Sequence, residues 1–209
     1  MLGLSLEGIL RKSLRRENFG SVNMNKSYDP KGTTWPLKLK LKRLLWVVVN
    51  QTAFRYSPFI CYGWRRFLLR CFGATISRSA TIARTAEINS PWNLTMDEKS
   101  MIANHAWVMC SGPVRIGKQA MVGEYCKVLA GSHNTHSRSY QPVMPGIDIQ
   151  DDAWVASGAM LVAGGKRDLH IGESAIVAAG AVVFSNVRRM TIVVGNPAEF
   201  LSDRVIDEN

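Results

Sequence analysis

Acidic side chains are scarce where this sequence begins. Residues 1–72 hold 3 aspartates and glutamates against 14 lysines and arginines, whereas residues 73–209 hold 13 against 12. The formal net charge of +10 over 209 residues therefore belongs to the first third of the chain. Cysteine is sparse too. Cys61, Cys71, Cys110 and Cys126 form no C-x-x-C pair and no Cys/His cluster, so neither a zinc knuckle nor a disulfide framework is encoded and a reducing compartment suits the thiols. Long apolar runs are missing: the longest between Leu37 and Phe54, Leu44 to Val49, has six residues, against the roughly 20 that cross a bilayer. The opening MLGLSLEGILRKSLRRENFG places Arg11, Lys12, Arg15 and Arg16 after its apolar residues, the reverse of a secretory signal; a short amphipathic helix or a mobile tail fits it. No G-x-x-x-x-G-K-[ST] loop and no G-x-S-x-G elbow occurs, which excludes P-loop phosphoryl transfer and the serine-hydrolase arrangement.

What is present falls into two parts. Residues 1–33 read as an N-terminal tail and 34–72 as a basic helical region, in which Pro58 separates two helix-like stretches. Lys38, Lys40, Lys42 and Arg43 precede Trp46, and Arg65, Arg66 and Arg70 alternate with Trp64, Phe67 and Phe72. Such a helical hairpin reads first as packed on the main domain, and second as laid partly against an anionic membrane surface. Nucleic acid is not indicated, because no helix-turn-helix, KH or RRM pattern accompanies the charge. The expected location is cytoplasmic, with peripheral placement at the inner face of the cytoplasmic membrane as the second reading.

From residue 73 the chain obeys a period of six. Ile76, Ile82, Ile88 and Leu94 form one series, and Met96, Ile102 and Val108 resume it after a shift of two. Ile116, Val122 and Val128, then Ile149, Val155 and Leu161, then Ile171, Val177 and Val183 repeat it. Neither a 3.6-residue helical face nor a two-residue strand alternation produces sixes. A three-sided prism does: each hexad is a short strand plus a turn, three hexads close a coil, and the aliphatic residues stack inside as in other solenoids. Small residues two positions earlier, among them Ala80, Ala106, Ala153 and Ala181, suit crowded corners. The prediction is about six coils over residues 73–197, with 198–209 as a short helix, over Ala198 to Ile206, or a tail.

Two interruptions break the prism. One, LAGSHNTHSRSYQPVMPGID, lies between Val128 and Ile149 and carries His133, His136 and Tyr140. The other, between Leu161 and Ile171, carries Lys166, Arg167 and Asp168. Polar loops on a rigid scaffold are where sites are built.

YGWRRFLLRCFGA, SPWNLTM, LAGSHNTHS, DAWVASGAMLVAGG and VVGNPA occur in that order. With them the chain resembles the hexapeptide-repeat acyltransferases, closest to the colanic-acid-biosynthesis type of sugar O-acetyltransferase. The resemblance implies an all-β fold, a left-handed parallel β-helix behind an N-terminal helical hairpin. It also implies acetyl-CoA as donor, a saccharide hydroxyl as acceptor, and a homotrimer with sites between subunits. Four dispersed histidines with no nearby paired carboxylates argue against a metal centre. The family's catalytic histidine falls on His133. A neutral imidazole, with an ordinary pKa of about 6.5, is suited to take a proton from an alcohol attacking a thioester. Asn104, His105, Glu124 and His136 are the acceptor-binding candidates. Trp154, Ala156, Ser157 and Gly158, with Ala178 and Gly180 one coil later, match the pantetheine groove. Lys166 with Arg167 and Arg188 with Arg189 are the candidate bases for the coenzyme phosphates. Cys110 and Cys126 read as core residues and His170 as structural. Two alternatives remain open: N-acetylation of an amino sugar, and a non-catalytic scaffold in polysaccharide assembly.

Overall fold

Each hexad becomes a strand of two to four residues and a turn, and the turn sends the chain onto the next side of a triangle. The computed structural model describes residues 36–206 except 137, 139, 165 and 166. The 1–33 tail, Lys166 and the last three residues lie outside the described residues.

The first face stacks Thr75–Ile76, Leu94–Met96, Val114–Ile116, Ile147–Ile149 and Leu169–Ile171. The second stacks Thr81–Ile82, Met101–Ile102, Met121–Val122, Trp154–Val155, Ile176–Val177 and Thr191–Val194. The third stacks Glu87–Ile88, Trp107–Cys110, Lys127–Ala130, Met160–Ala163 and Val182–Val183. These strands pair in parallel, with the guide residues in register: Ile76, Met96, Ile116, Ile149 and Ile171 on the first face, for example. Ile116, Val122 and Val128 all point into one interior, fully buried, as the hexads predict. The alanines at the corners are buried as well, because any larger side chain there would push neighbouring coils apart. The two-residue shift before Met96 is absorbed by a 3-10 turn at Pro91–Asn93, whose Asn93 amide donates to the Cys110 and Ser111 carbonyls of the next coil.

The helical hairpin is present. Helix α1 spans Leu37–Val49 and runs on through a wider π-turn at Asn50–Phe54; α2 spans Tyr62–Cys71. Their inner sides close the open end of the prism, with Trp46, Phe54, Leu68, Leu69 and Phe72 joining its core. Trp46 packs on Phe72 at 5.0 Å between ring centroids and edge-on to Phe54 at 5.9 Å.

The ladder explains why α2 is rich in arginine. Amides of each coil donate to carbonyls of the following one: Ser77 to Met96, Thr81 to Ser100, Ala83 to Ile102, Asn89 to Val108. The equivalent carbonyls of the first coil, on Ile76, Ala80, Ile82 and Ile88, have no coil before them. Side chains replace it. Arg70 donates to Ile76 O, Arg66 to Ala80 O, Arg65 to Ile82 O and the Trp46 indole to Ile88 O. Unpaired carbonyls at a buried sheet end are costly, so much of the basic character of this region is used as a cap.

The C-terminal helix is a correction. After Thr191–Val194 the chain turns through Gly195 and Pro197, and Glu199–Asp203 returns as an antiparallel strand beside it. The apolar pattern of residues 198–206 is compatible with a helix. However, the last strand of the second face offers a free row of backbone groups, and pairing with it outweighs local propensity. Among the described residues no helix is long and apolar enough to cross a membrane.

Candidate functional site

Both interruptions leave from the same edge of the prism, between the third and first faces, one coil apart. In the first, Ser132–His133 forms a small antiparallel hairpin with Pro142–Val143. The returning end of this loop lies on the coil beneath, where a Cβ at Gly112 would collide with the Met144 and Pro145 carbonyls. Above it, Asp168 of the second interruption accepts a 2.6 Å hydrogen bond from the Gly146 amide. Asp168 is therefore a brace for the histidine loop. Arg167 sits exposed on this edge, and Lys166 lies outside the described residues.

His133 is exposed, and its Nδ1 lies 2.6 Å from the Tyr140 carbonyl. A carbonyl only accepts, so Nδ1 carries the proton and Nε2 of the neutral ring is left with its lone pair. Tyr140 holds that carbonyl in place from a left-handed backbone conformation, φ 45°, a departure of the kind found at functional sites. The partner that orients the imidazole is thus a backbone group, which no reading of side chains along the sequence reveals. His136 is exposed nearby, its backbone amide bonded to the Asn134 side chain.

Most of the other candidates gather on a different side, around the edge between the second and third faces. Asn104, Glu124 and Ser157 belong to successive coils there, beside the column His105, Tyr125, Gly158 and Gly180. Asn104 donates to Glu124 at 3.3 Å and accepts from Thr85 at 3.0 Å, and the rings of His105 and Tyr125 stack at 5.0 Å. Above that pair the side chains stop. Gly158 and Gly180 have φ of 73° and 70°, and nothing lies within 4 Å of a Cβ built on Gly180, which leaves a bare track along the corner. Asn104, Glu124, Ser157 and Trp154 share a cleft of about 460 Å³ floored by Met101 and Met121, with Phe59 and Tyr62 of the helical region on its other side. Arg84 also lines it.

Within one chain His133 does not meet this cleft. The third face stands between them, a strand of four residues or roughly 13 Å. Arg188 and Arg189 lie on neither edge. They sit at the corner joining the first and second faces, Arg188 over the Phe200 ring and Arg189 at 3.4 Å from Glu173. His170 is likewise apart, on the first face at 3.6 Å from Asp148. Cys110 and Cys126 are buried. Burial pushes the Cys110 thiol well above its usual range and that of Cys126 up to about 11, so neither supplies a thiolate near neutral pH. Among the described residues no cluster of three His, Cys, Asp or Glu side chains is placed to hold a metal.

No family model matches the chain. WcaF of Escherichia coli (strain K12), assigned to colanic acid biosynthesis as an acetyltransferase, is 30% identical over 179 residues, 86% of this chain and 95% of WcaF. The chain belongs to the hexapeptide-repeat acetyltransferases. Its fold is therefore their left-handed β-helix. A hexapeptide-repeat acetyltransferase of Vibrio cholerae, VCA0836, solved with acetyl coenzyme A, superposes with a TM-score of 0.68 at 20% identity, covering 79% of this chain and 88% of that one. A galactoside acetyltransferase in complex with coenzyme A gives 0.71 at 17% identity, with 82% and 84% covered. At such identities the likeness is one of fold.

Arg84, Phe59 and Tyr62 were not singled out from the sequence as site residues. Arg84 had a usable signal: it stands 20 residues before Asn104 and 40 before Glu124, one and two coils earlier in the same register. Phe59 and Tyr62 had none, since their place depends on how the helical cap sits.

Proposed function

We propose that this protein transfers an acetyl group from acetyl-CoA to a hydroxyl of a saccharide or polysaccharide precursor, with His133 as general base, in sites shared by neighbouring subunits of a homotrimer. The observation that carries the reading is the separation itself. An exposed histidine with Nε2 left as the acceptor nitrogen and a cleft lined with polar and aromatic side chains stand on different edges of one prism. Packing prisms side by side around a threefold axis sets the loop edge of one against the glycine edge of the next. The bare track past Gly158 and Gly180 fits a slender pantetheine arm, which a Cβ at those positions would narrow.

Acetyl-CoA supplies a carbonyl already activated as a thioester. His133 Nε2 takes the proton from the attacking hydroxyl, and the imidazolium returns it to the departing sulfur. Tyr140 O keeps the ring in the tautomer that can do both. Gly158 and Gly180 amides already donate to the Glu124 and Ser157 carbonyls, so the Ser157 hydroxyl is assigned as a donor to a developing oxyanion. Asn104 and Glu124, with His105 beside them and His136 across the interface, hold the acceptor; Trp154, Ala156 and Ala178 form the walls of the coenzyme track. The geometry favours Arg167 over Arg188 and Arg189 for the coenzyme phosphates, because it shares the edge of the His133 loop.

The shared site has a direct test. His133→Ala and Ser157→Trp subunits, each inactive alone, should regain activity when co-expressed. Random mixing restores about a quarter of the sites, since each needs the loop of one parent and the cleft of the other. Mixed trimers with no recovered turnover would sink the shared site. The product's linkage tests the reaction: an acetyl group released by mild alkali is an ester, and a base-stable one would replace this reading with N-acetylation.

A further inference from the structure

We infer that the outward face of α1 is a docking surface for an anionic lipid membrane. On a helix packed against a soluble domain the apolar stripe normally faces inward. In α1 the inward side is held by Trp46, whereas Leu37, Leu41, Leu44 and Val48 lie on the opposite side and are 72%, 58%, 62% and 52% exposed. Their spacing of four, three and four keeps them in one line along the helix. Leu45 and Val47 widen the stripe, both more than half exposed. The strip continues past the helix end. Trp64 donates its indole N–H to the Ala53 carbonyl and stacks with Phe67 at 5.7 Å; both rings are exposed, as suits the boundary between headgroups and acyl chains.

Charge selects lipid over the other occupants. No acidic residue occurs between Asp29 and Glu87, while residues 36–72 contain eight lysines and arginines. Lys38 and Lys40 are exposed along the stripe. Those arginines that cap the first coil bond to carbonyls, which leaves their positive charge uncancelled. The same spacing is also a coiled-coil seam, so a second copy of α1 is the rival occupant. Two such faces would bring lysine against lysine with no acid between them, whereas an anionic surface complements them. With 13 residues, or about 20 Å of helix, α1 lies in the interface plane and does not cross it. The inference needs only this face and stands apart from the acetyl-transfer reading. The multiplication of weak contacts by three copies, all carried at the same end of parallel prisms, rests on the proposed trimer.

Flotation of the full chain decides it. Vesicles of phosphatidylglycerol and phosphatidylethanolamine should carry the protein at low salt and release it at high salt, and phosphatidylcholine vesicles should not carry it. Lys38→Gln and Lys40→Gln should each weaken binding about fivefold. Leu41→Gln/Leu44→Gln/Val48→Gln should weaken it by about tenfold or more, with an unchanged circular dichroism spectrum and oligomer size. Folded wild-type protein that stays at the bottom of the gradient overturns the inference, as does a triple variant that floats like wild type. A triple variant whose oligomer shrinks without vesicles assigns the face to a second copy and also overturns it. A monomer that floats on anionic vesicles keeps the docking and removes only the trimer.

Discussion

His133→Ala should lower kcat by about 10²- to 10⁴-fold, the usual contribution of a positioned general base, and leave the Kd for acetyl-CoA unchanged. The two effects should separate because the imidazole stands on the loop edge, bonded to Tyr140 O, while the bare track proposed for the coenzyme lies on the other edge. His136→Ala is the internal control. It removes a second imidazole from the same loop without touching the His133 tautomer, so its loss of turnover should be much smaller. Single-turnover kinetics with isothermal titration of acetyl-CoA provide the two readouts. Full turnover in His133→Ala would end the general-base assignment, and a lost coenzyme affinity would mean that the histidine holds the donor instead.

The largest effect on stability should come from Arg65→Ala. The side chain is 1% exposed and donates to Ile82 O, Ser57 Oγ, Pro58 O and Phe59 O at 2.7–2.9 Å. It fastens the inter-helix loop to the first coil. Burial lowers its pKa from the usual arginine value, yet a guanidinium stays charged at neutral pH. Truncation strands several buried acceptors together, which costs about 3–5 kcal/mol and, at roughly 2–4 °C per kcal/mol for a chain of this size, lowers Tm by roughly 6–20 °C. Arg65→Lys should recover little, because one ammonium cannot span acceptors that a planar fork reaches at once. Thermal unfolding followed by circular dichroism measures both. A Tm within a degree of wild type for Arg65→Ala would show that the cap is ornamental to the prism.

The prism was legible because its signal is repetitive and local: an inward residue every six positions needs no knowledge of distant partners. The helical hairpin was legible from Pro58 and the apolar stretches on either side of it. Other features were not, because each depends on groups brought together from distant parts of the chain. The arginines of α2 answer a set of carbonyls that exist only because no coil precedes the first one. The strand Glu199–Asp203 forms because the last coil leaves a row of backbone groups unpaired, against a local composition equally suited to a helix. The cleft depends on Arg84, Asn104, Glu124 and Ser157 falling into one column, and the long interruption between Glu124 and Ser157 hides that register from a count of sixes. His133 was singled out by its motif. Its orientation by a backbone carbonyl was not, since any residue at position 140 offers the same group.

A stack of parallel coils has no natural length. Every coil presents to the next the same row of donors and acceptors that it received, and in cross-β fibrils such rows add chains without limit. Here the sequence writes a stop at each end: arginine and tryptophan donors before the first coil, and a chain reversal that spends the last row on the protein's own tail. Losing either stop would do more than weaken the fold. It would expose a template whose best complement in solution is another copy of the same protein, so that a fault in the cap becomes the start of a fibre.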